Sequence, residues 1–85
     1  MSEYEEEYKH KGWVARFTGR ESQDGWDDSF ELTYSDGPTI HTVPFHGNNE
    51  LPSKDEAIRV AMTHARQWID AEGARFLAEK RKEGR

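Results

Sequence analysis

The chain has 85 residues, no cysteine and a net charge of −5 at pH 7, so it should form one domain with a thin core. The lack of cysteine excludes disulfides and thiolate metal ligands, and it favours a reducing compartment. The acidic N-terminus has no signal-peptide core and no apolar run nears the roughly 20 residues that cross a bilayer, which predicts a soluble, unprocessed, cytoplasmic protein.

The N-terminal third predicts a short disordered segment, one strand and one loop. Residues 1–8 are rich in glutamate and are interpreted as a disordered acidic lead-in. From Gly12 onward, the side chains alternate between two faces, which predicts a half-buried strand to about Thr18. Trp13, Ala15 and Phe17 share one face, and Val14, Arg16 and Thr18 share the other. Residues 19–25 carry two glycines and mostly polar side chains, so we expect a loop there.

The middle third predicts two more strands in a meander. Alternating apolar residues indicate a second strand over about residues 29–35, with Phe30, Leu32 and Tyr34 on one face. The Ser-Asp-Gly-Pro sequence at 35–38 predicts a tight reversal into a third, antiparallel strand at about 39–45. Because Pro44 cannot donate to a ladder, this third strand should lie at the edge or stop near Val43.

In the third strand, Ile40 lies an odd number of positions from Val43 and Phe45, so its side chain should point to the opposite face of the sheet from theirs. One explanation is a register shift caused by the proline or a bulge, and the other is that Ile40 joins Val14 on the outer face of the sheet. We expect the outer face.

A single amphipathic helix follows the strands. Pro52, the capping residue Ser53 and Glu56 three positions later mark its start. Its apolar stripe consists of Ile58, Ala61, Met62, Ala65 and Ile69, with Trp68 on the flank. The helix is predicted to break at Gly73, although Phe76 and Leu77 keep the spacing, so that an extension to about Lys82 is the alternative.

These elements predict an α+β fold, a three-stranded antiparallel meander with one C-terminal amphipathic helix packed on one face. The expected organisation is a lead-in at 1–8, a single domain at 9–73, and a basic tail or helix extension at 74–85.

No residue pattern indicates catalysis or a bound cofactor or metal. His41 and His46 flank a short apolar run without the spacing of a metal site, and a hydrolase built on either would need a pocket. Asp24, Asp27 and Asp28 cluster without the ligand spacing of a calcium loop and are interpreted as a solvated acidic loop. We therefore expect no enzyme, no cofactor and no metal.

Two tryptophans have alternative roles. Trp13 and Trp26 share the parity of the buried faces, so capping of the small core is the first interpretation. The alternative applies to Trp26, which could present an aromatic side chain beside Asp27 and Asp28 to a basic partner.

Charge argues against nucleic acid as the main partner. Residues 1–73 carry 15 acidic and 7 basic side chains, whereas residues 74–85 carry 5 basic and 2 acidic ones. The acidic body should repel phosphate, and the basic tail is short. A weak RNA- or DNA-binding domain that uses Lys54 and the basic C-terminal tail (Arg75, Lys80, Arg81, Lys82) remains the alternative function.

Two family resemblances follow from short motifs. The sequence Ser-Lys-Asp-Glu-Ala at 53–57, followed by Ala61 and Ala65, resembles the last helix of double-stranded RNA-binding domains, which also follows a three-stranded meander. Lysines at the start of that helix contact phosphate in the family, and Lys54 is the matching residue here. The resemblance implies an RNA contact at Lys54 and covers about the last third of the chain.

The second resemblance is broader. The Gly12-Trp13 pair, a central apolar strand and a Ser-x-x-Glu-Ala helix that ends in Trp68-Ile69-Asp70 resemble small bacterial β-β-β-α domains of unknown function. The pattern is also similar to the partial ribonuclease-H-like domain of Hic-type antitoxins, which implies binding of a protein partner.

The function predicted from the sequence is a non-enzymatic protein-interaction module. It would bind a protein partner or a second copy of itself through a sheet edge or its acidic surface. The candidate contact residues are Trp26, Asp27, Asp28, Val14 and Ile40.

Overall fold

Within the described residues, seven strands and one long helical stretch make up the fold. The computed structural model describes residues 6–83. The strands are β1 (Glu7–His10), β2 (Trp13–Phe17), β3 (Glu21–Ser22), β4 (Gly25–Asp27), β5 (Phe30–Asp36), β6 (Thr39–Phe45) and β7 (Glu50–Leu51). The helical part consists of α1 (Lys54–Trp68), a π-helical segment (Ile69–Gly73) and α2 (Ala74–Glu83).

The main sheet has four antiparallel strands in the order β1-β2-β5-β6. Strands β2, β5 and β6 are the predicted meander, and β6 has the predicted bounds. The α+β class and the antiparallel sheet are therefore confirmed. The three-stranded count is wrong, because seven strands form two sheets.

Strand β1 lies where the sequence indicated disorder. It forms a hairpin with β2 in which Tyr8 is opposite Ala15 and His10 is opposite Trp13. The two turn residues, Lys11 and Gly12, both have positive φ angles of 50° and 85°, as tight hairpin turns require. The predicted lead-in therefore extended two residues too far, and its residues 1–5 lie outside the described residues.

A second, three-stranded sheet includes part of the predicted loop at residues 19–25, where β3 and the start of β4 lie. Its strand order is β3-β4-β7, and each strand has two or three residues. Trp26 in β4 pairs with Glu21 on one side and with Leu51 on the other. This small sheet connects the end of the main sheet to the start of α1.

Strand β6 forms one edge of the main sheet, as Pro44 predicted. Pro44 is opposite Glu31, and the strand continues to Phe45 instead of stopping near Val43. Ile40 is opposite Ser35 on the face away from the helix and is 65% exposed. The prediction that Ile40 joins the outer face is confirmed.

Helix α1 begins at the predicted cap. The Ser53 hydroxyl accepts a hydrogen bond from the Glu56 N–H at 3.2 Å, which satisfies one of the free donors of the first turn. The predicted apolar stripe is buried against the main sheet. The core comprises Trp13, Ala15, Phe17, Phe30, Leu32, Ala57, Ile58, Ala61, Met62, Ala65, Ile69 and Leu77.

The helix does not break at Gly73. It passes through Gly73 as the π-helical segment and continues to Glu83, so the alternative of an extension is confirmed. A Cβ on Gly73 would lie 3.0 Å from Trp13 Nε1, so glycine here allows close packing against the sheet. None of the helices within residues 6–83 has the length and apolar character that a membrane crossing requires.

Candidate functional site

The two edges of the main sheet differ in length and charge. Strand β1 has four residues and carries Glu7 and Lys9. Strand β6 has seven residues, none of them aspartate, glutamate, lysine or arginine. Proteins usually protect sheet edges with charges, short strands or proline, and β6 has only Pro44 near its end. The β6 edge is therefore the one that is open to pairing with another strand.

The outer face near this edge carries the main exposed apolar side chain. Ile40 is the one large hydrophobic residue that is exposed within residues 6–83. Val14, the other predicted outer-face contact, is half-buried in β2 opposite Thr33. Strand β5 separates Val14 from Ile40, and their partners on β5 are two residues apart, so two strand spacings and this offset place them about 12 Å apart. The structure therefore puts them on one face without joining them.

Trp26 is already covered by its own chain. Its side chain is half-buried and packs against the core, as the first interpretation of the two tryptophans predicted. The Lys54 ammonium lies 5.6 Å above the indole ring, at the distance of a cation–π contact, and also pairs with Glu6. Trp26 is therefore a weak candidate for partner binding.

Asp27 supports the local backbone. Its carboxylate accepts hydrogen bonds from the N–H groups of Ser29 at 3.0 Å and Arg20 at 3.2 Å. Burial alone would raise the pKa of Asp27, but these bonds outweigh it and hold the pKa below its ordinary value. The predicted acidic contact is thus engaged in positioning the chain between β4 and β5.

Asp28 is not part of a solvated acidic loop, which corrects the sequence interpretation. It is 6% exposed, and its carboxylate accepts hydrogen bonds from the side chain of Asn49 at 2.9 Å and from the Asn49 N–H at 3.3 Å. Gly47 lies directly against this carboxylate, and any Cβ there would overlap it. Asp28 lies in the corner between the two sheets. Because successive side chains of an extended chain point in opposite directions, Asp28 points inward and Asp27 does not.

A pocket of about 280 Å³ opens beside Asp28, at the end of β6. Phe30 and Phe45 stack at 4.6 Å, and the His64 ring stands edge-on to both of them. The pocket is therefore framed by the sheet on one side and by α1 on the other. Its lining consists of Asp28, Phe30, Phe45, His46, Gly47, Asn48, Asn49 and His64.

Two histidines pair with separate aspartates, and the other two share the pocket. His10 is 2.8 Å from Asp70, and His41 is 3.8 Å from Asp36, whereas His46 and His64 line the pocket. No group of three histidine, aspartate or glutamate side chains within residues 6–83 could hold a metal ion. The pocket was not predicted from the sequence, because its residues come from three distant segments. The one local signal was His64, a polar residue that lies about one helical turn after the buried Ala61.

The cations proposed for nucleic-acid binding are mostly paired with acidic groups. Arg81 contacts Asp36 at 2.8 Å, Arg75 contacts Glu72 at 2.9 Å and Lys80 contacts Glu83 at 3.4 Å. Lys54 pairs with Glu6. These ion pairs engage the lysine and arginine side chains that nucleic-acid binding would require to contact phosphate.

No protein-family model, curated protein or solved structure matches this chain. The resemblances to double-stranded RNA-binding domains and to Hic-type antitoxin domains therefore stay predictions.

Proposed function

We propose that this protein is a non-enzymatic interaction module that accepts a strand of a protein partner along β6. The observation that carries the proposal is the β6 edge itself. The strand is seven residues long and has no aspartate, glutamate, lysine or arginine, and its residue Ile40 is 65% exposed. An added strand would satisfy the free backbone groups of the edge, which is the general mode of β-augmentation.

The outer face gives the added strand a side-chain contact. In an extended partner strand, alternate side chains would lie beside Ile40 and Thr42, which share that face. Burial of an exposed isoleucine contributes about 1.5 to 3 kcal/mol, which is enough to favour an apolar partner residue at that point.

Charge indicates the kind of partner. The net charge of −5 would attract a basic protein and raise its association rate, and it disfavours the pairing of two acidic copies. Binding of a protein partner is also what the resemblance to Hic-type antitoxin domains implies. We therefore favour a basic protein partner over a homodimer.

Affinity capture from the native cell, read by mass spectrometry, tests the proposal. The wild type should retain a stoichiometric basic protein, and Ile40→Lys should lose it, because a lysine at the edge opposes strand pairing. Ser35→Lys is the matched control, since Ser35 is exposed on the same face but lies one strand inward. Equal capture by both variants would refute binding at the β6 edge.

Two further measurements separate the remaining functions. Sedimentation of the purified protein over a wide concentration range identifies self-association, which Ile40→Lys should abolish if a second copy uses the same edge. Titration with duplex RNA at low salt tests the nucleic-acid alternative, in which binding should fall steeply as salt is raised. Tight RNA binding together with no captured protein would replace the proposal.

A further inference from the structure

We propose that the pocket beside Asp28 receives the guanidinium group of an arginine side chain from the basic partner. This inference rests on the proposed function, since it specifies what that partner presents next to β6. It goes further by naming the recognised group and the residues that recognise it.

The carboxylate of Asp28 is buried beside the pocket. None of the ion pairs within residues 6–83 includes Asp28, although the residue is 6% exposed. Buried charges are normally paired with an opposite charge. Asn49 supplies two hydrogen bonds, and a carboxylate can accept about four. A cation that enters the pocket would therefore complete the partners of Asp28.

The remaining wall of the pocket is aromatic and polar. The half-buried ring of Phe45 stacks on the buried ring of Phe30, and His64 stands edge-on to them at 5.3 and 5.8 Å. The side chains of His46 and Asn48 add polar groups around the opening. A planar guanidinium with five N–H donors suits several acceptors and an aromatic wall better than a compact ammonium does.

The pocket lies at the end of the β6 edge. Phe45 is the last residue of β6, and its ring lies on the helix side of the sheet, in contact with His64. His46 follows directly in the chain. A strand that pairs along β6 would direct alternate side chains to this same side, so that one of them near Phe45 faces the pocket. The edge and the pocket can therefore be occupied by one partner segment.

The test uses N-acetyl-arginine amide as the probe and N-acetyl-citrulline amide as its neutral analogue. Both are titrated at pH 8 into the isotope-labelled full chain and followed by NMR. We expect saturable shifts at Gly47, Asn49 and His64 with the arginine probe, and binding about tenfold weaker or less with citrulline, because charge-assisted hydrogen bonds are lost. Equal binding of the two probes, or shifts spread over the acidic surface, would overturn the inference.

Variants locate the binding site. Asp28→Asn should weaken binding of the arginine probe by about tenfold or more. Asp24→Asn removes the same charge from an exposed position and should change binding by less than about twofold. Because Asp28 is buried, His64→Ala serves as a second variant at an exposed pocket residue, and it should weaken binding several-fold. An unchanged affinity in His64→Ala and Asp28→Asn would exclude the pocket.

Binding of the arginine probe does not depend on the pairing of a partner strand with β6. Ile40→Lys should leave binding of the arginine probe unchanged, because Ile40 lies on the opposite face of the sheet. Failure of the probe to bind, with partner capture still sensitive to Ile40→Lys, would remove the pocket inference alone. Probe binding with capture insensitive to Ile40→Lys would remove the β6 proposal alone.

Discussion

Replacement of Gly73 by alanine tests how closely the helix packs on the sheet. In a helix interior, alanine is favoured over glycine by about 0.8 to 1.0 kcal/mol, so the substitution should stabilise if nothing lies nearby. Here the new Cβ would lie 3.0 Å from Trp13 Nε1, closer than the ordinary contact distance of about 3.5 to 4.0 Å. Trp13 is 2% exposed and is held by Tyr34, Trp68 and Phe76, so it has little room to move.

The clash should outweigh the helix propensity. Overpacking of a filled core costs about 1 to 3 kcal/mol, which leaves a net loss of about 1 kcal/mol for Gly73→Ala. In a domain of this size, such a loss lowers the melting temperature by about 4 to 8 °C. Thermal denaturation followed by circular dichroism measures this directly.

In a Trp13→Phe background, Gly73→Ala should have the opposite effect on stability. Trp13→Phe removes the indole nitrogen that the new methyl group would meet, so Gly73→Ala in that background should stabilise by about 1 kcal/mol. Ala74→Gly is the control for helix propensity, because Ala74 is exposed in the next position. If Gly73→Ala raises the melting temperature equally in both backgrounds, the close contact with Trp13 does not constrain the helix.

Three further predictions concern the loop, the cap and acid stability. Gly47→Ala should destabilise by about 2 kcal/mol or more, because its Cβ would overlap the buried carboxylate of Asp28, and an unchanged melting temperature would contradict that placement. Ser53→Ala should cost about 1 kcal/mol in urea unfolding, whereas Ser53→Asp should keep most of the cap. Asp27 has a folded-state pKa below its unfolded value of about 3.9, so its contribution is present above that pH and is lost as the pH falls through the folded-state pKa. Asp27→Asn should therefore be less stable than wild type at pH 7, and the difference should close below about pH 4.

The meander was predictable because its signals are local. Period-two alternation identified β2 and β5, the Gly37-Pro38 turn located the hairpin, and Pro44 identified the edge strand. Strand β1 lacked such a signal, since its turn uses Lys11 at a positive φ angle, which lysine rarely adopts. The second sheet was also hidden, because strands of two or three residues are held by pairings between distant segments, such as Trp26 with Leu51.

The long helix carried a signal that sequence interpretation left unused. Its buried residues repeat every fourth position from residue 57 to residue 77: Ala57, Ala61, Ala65, Ile69, Gly73 and Leu77. In a regular α-helix at about 100° per residue, this repeat drifts by about 200° over the stretch and could not keep to one face. The π-helical segment winds less per residue and brings Leu77 back towards the sheet. The strict repeat therefore predicted an irregularity instead of an end.

The candidate site shows the limit of reasoning from one segment at a time. Asp28 belongs to a run of acidic residues that resembles a solvated loop, and only the pairing of β4 with β7 brings it next to Asn49. The exposure of Ile40, in contrast, could be predicted from the alternation of side chains along its strand, which places Ile40 on the outer face.

The contact between Arg81 and Asp36 connects α2 to the hairpin formed by β5 and β6. Arg81 holds both carboxylate oxygens of Asp36, the residue that closes the turn before β6. A force or modification that lifts the last helical turn would thus loosen the very hairpin that carries Ile40. The end of α2 is therefore tied to the hairpin that leads into the edge strand, and we expect Arg81→Ala to raise the mobility of that hairpin.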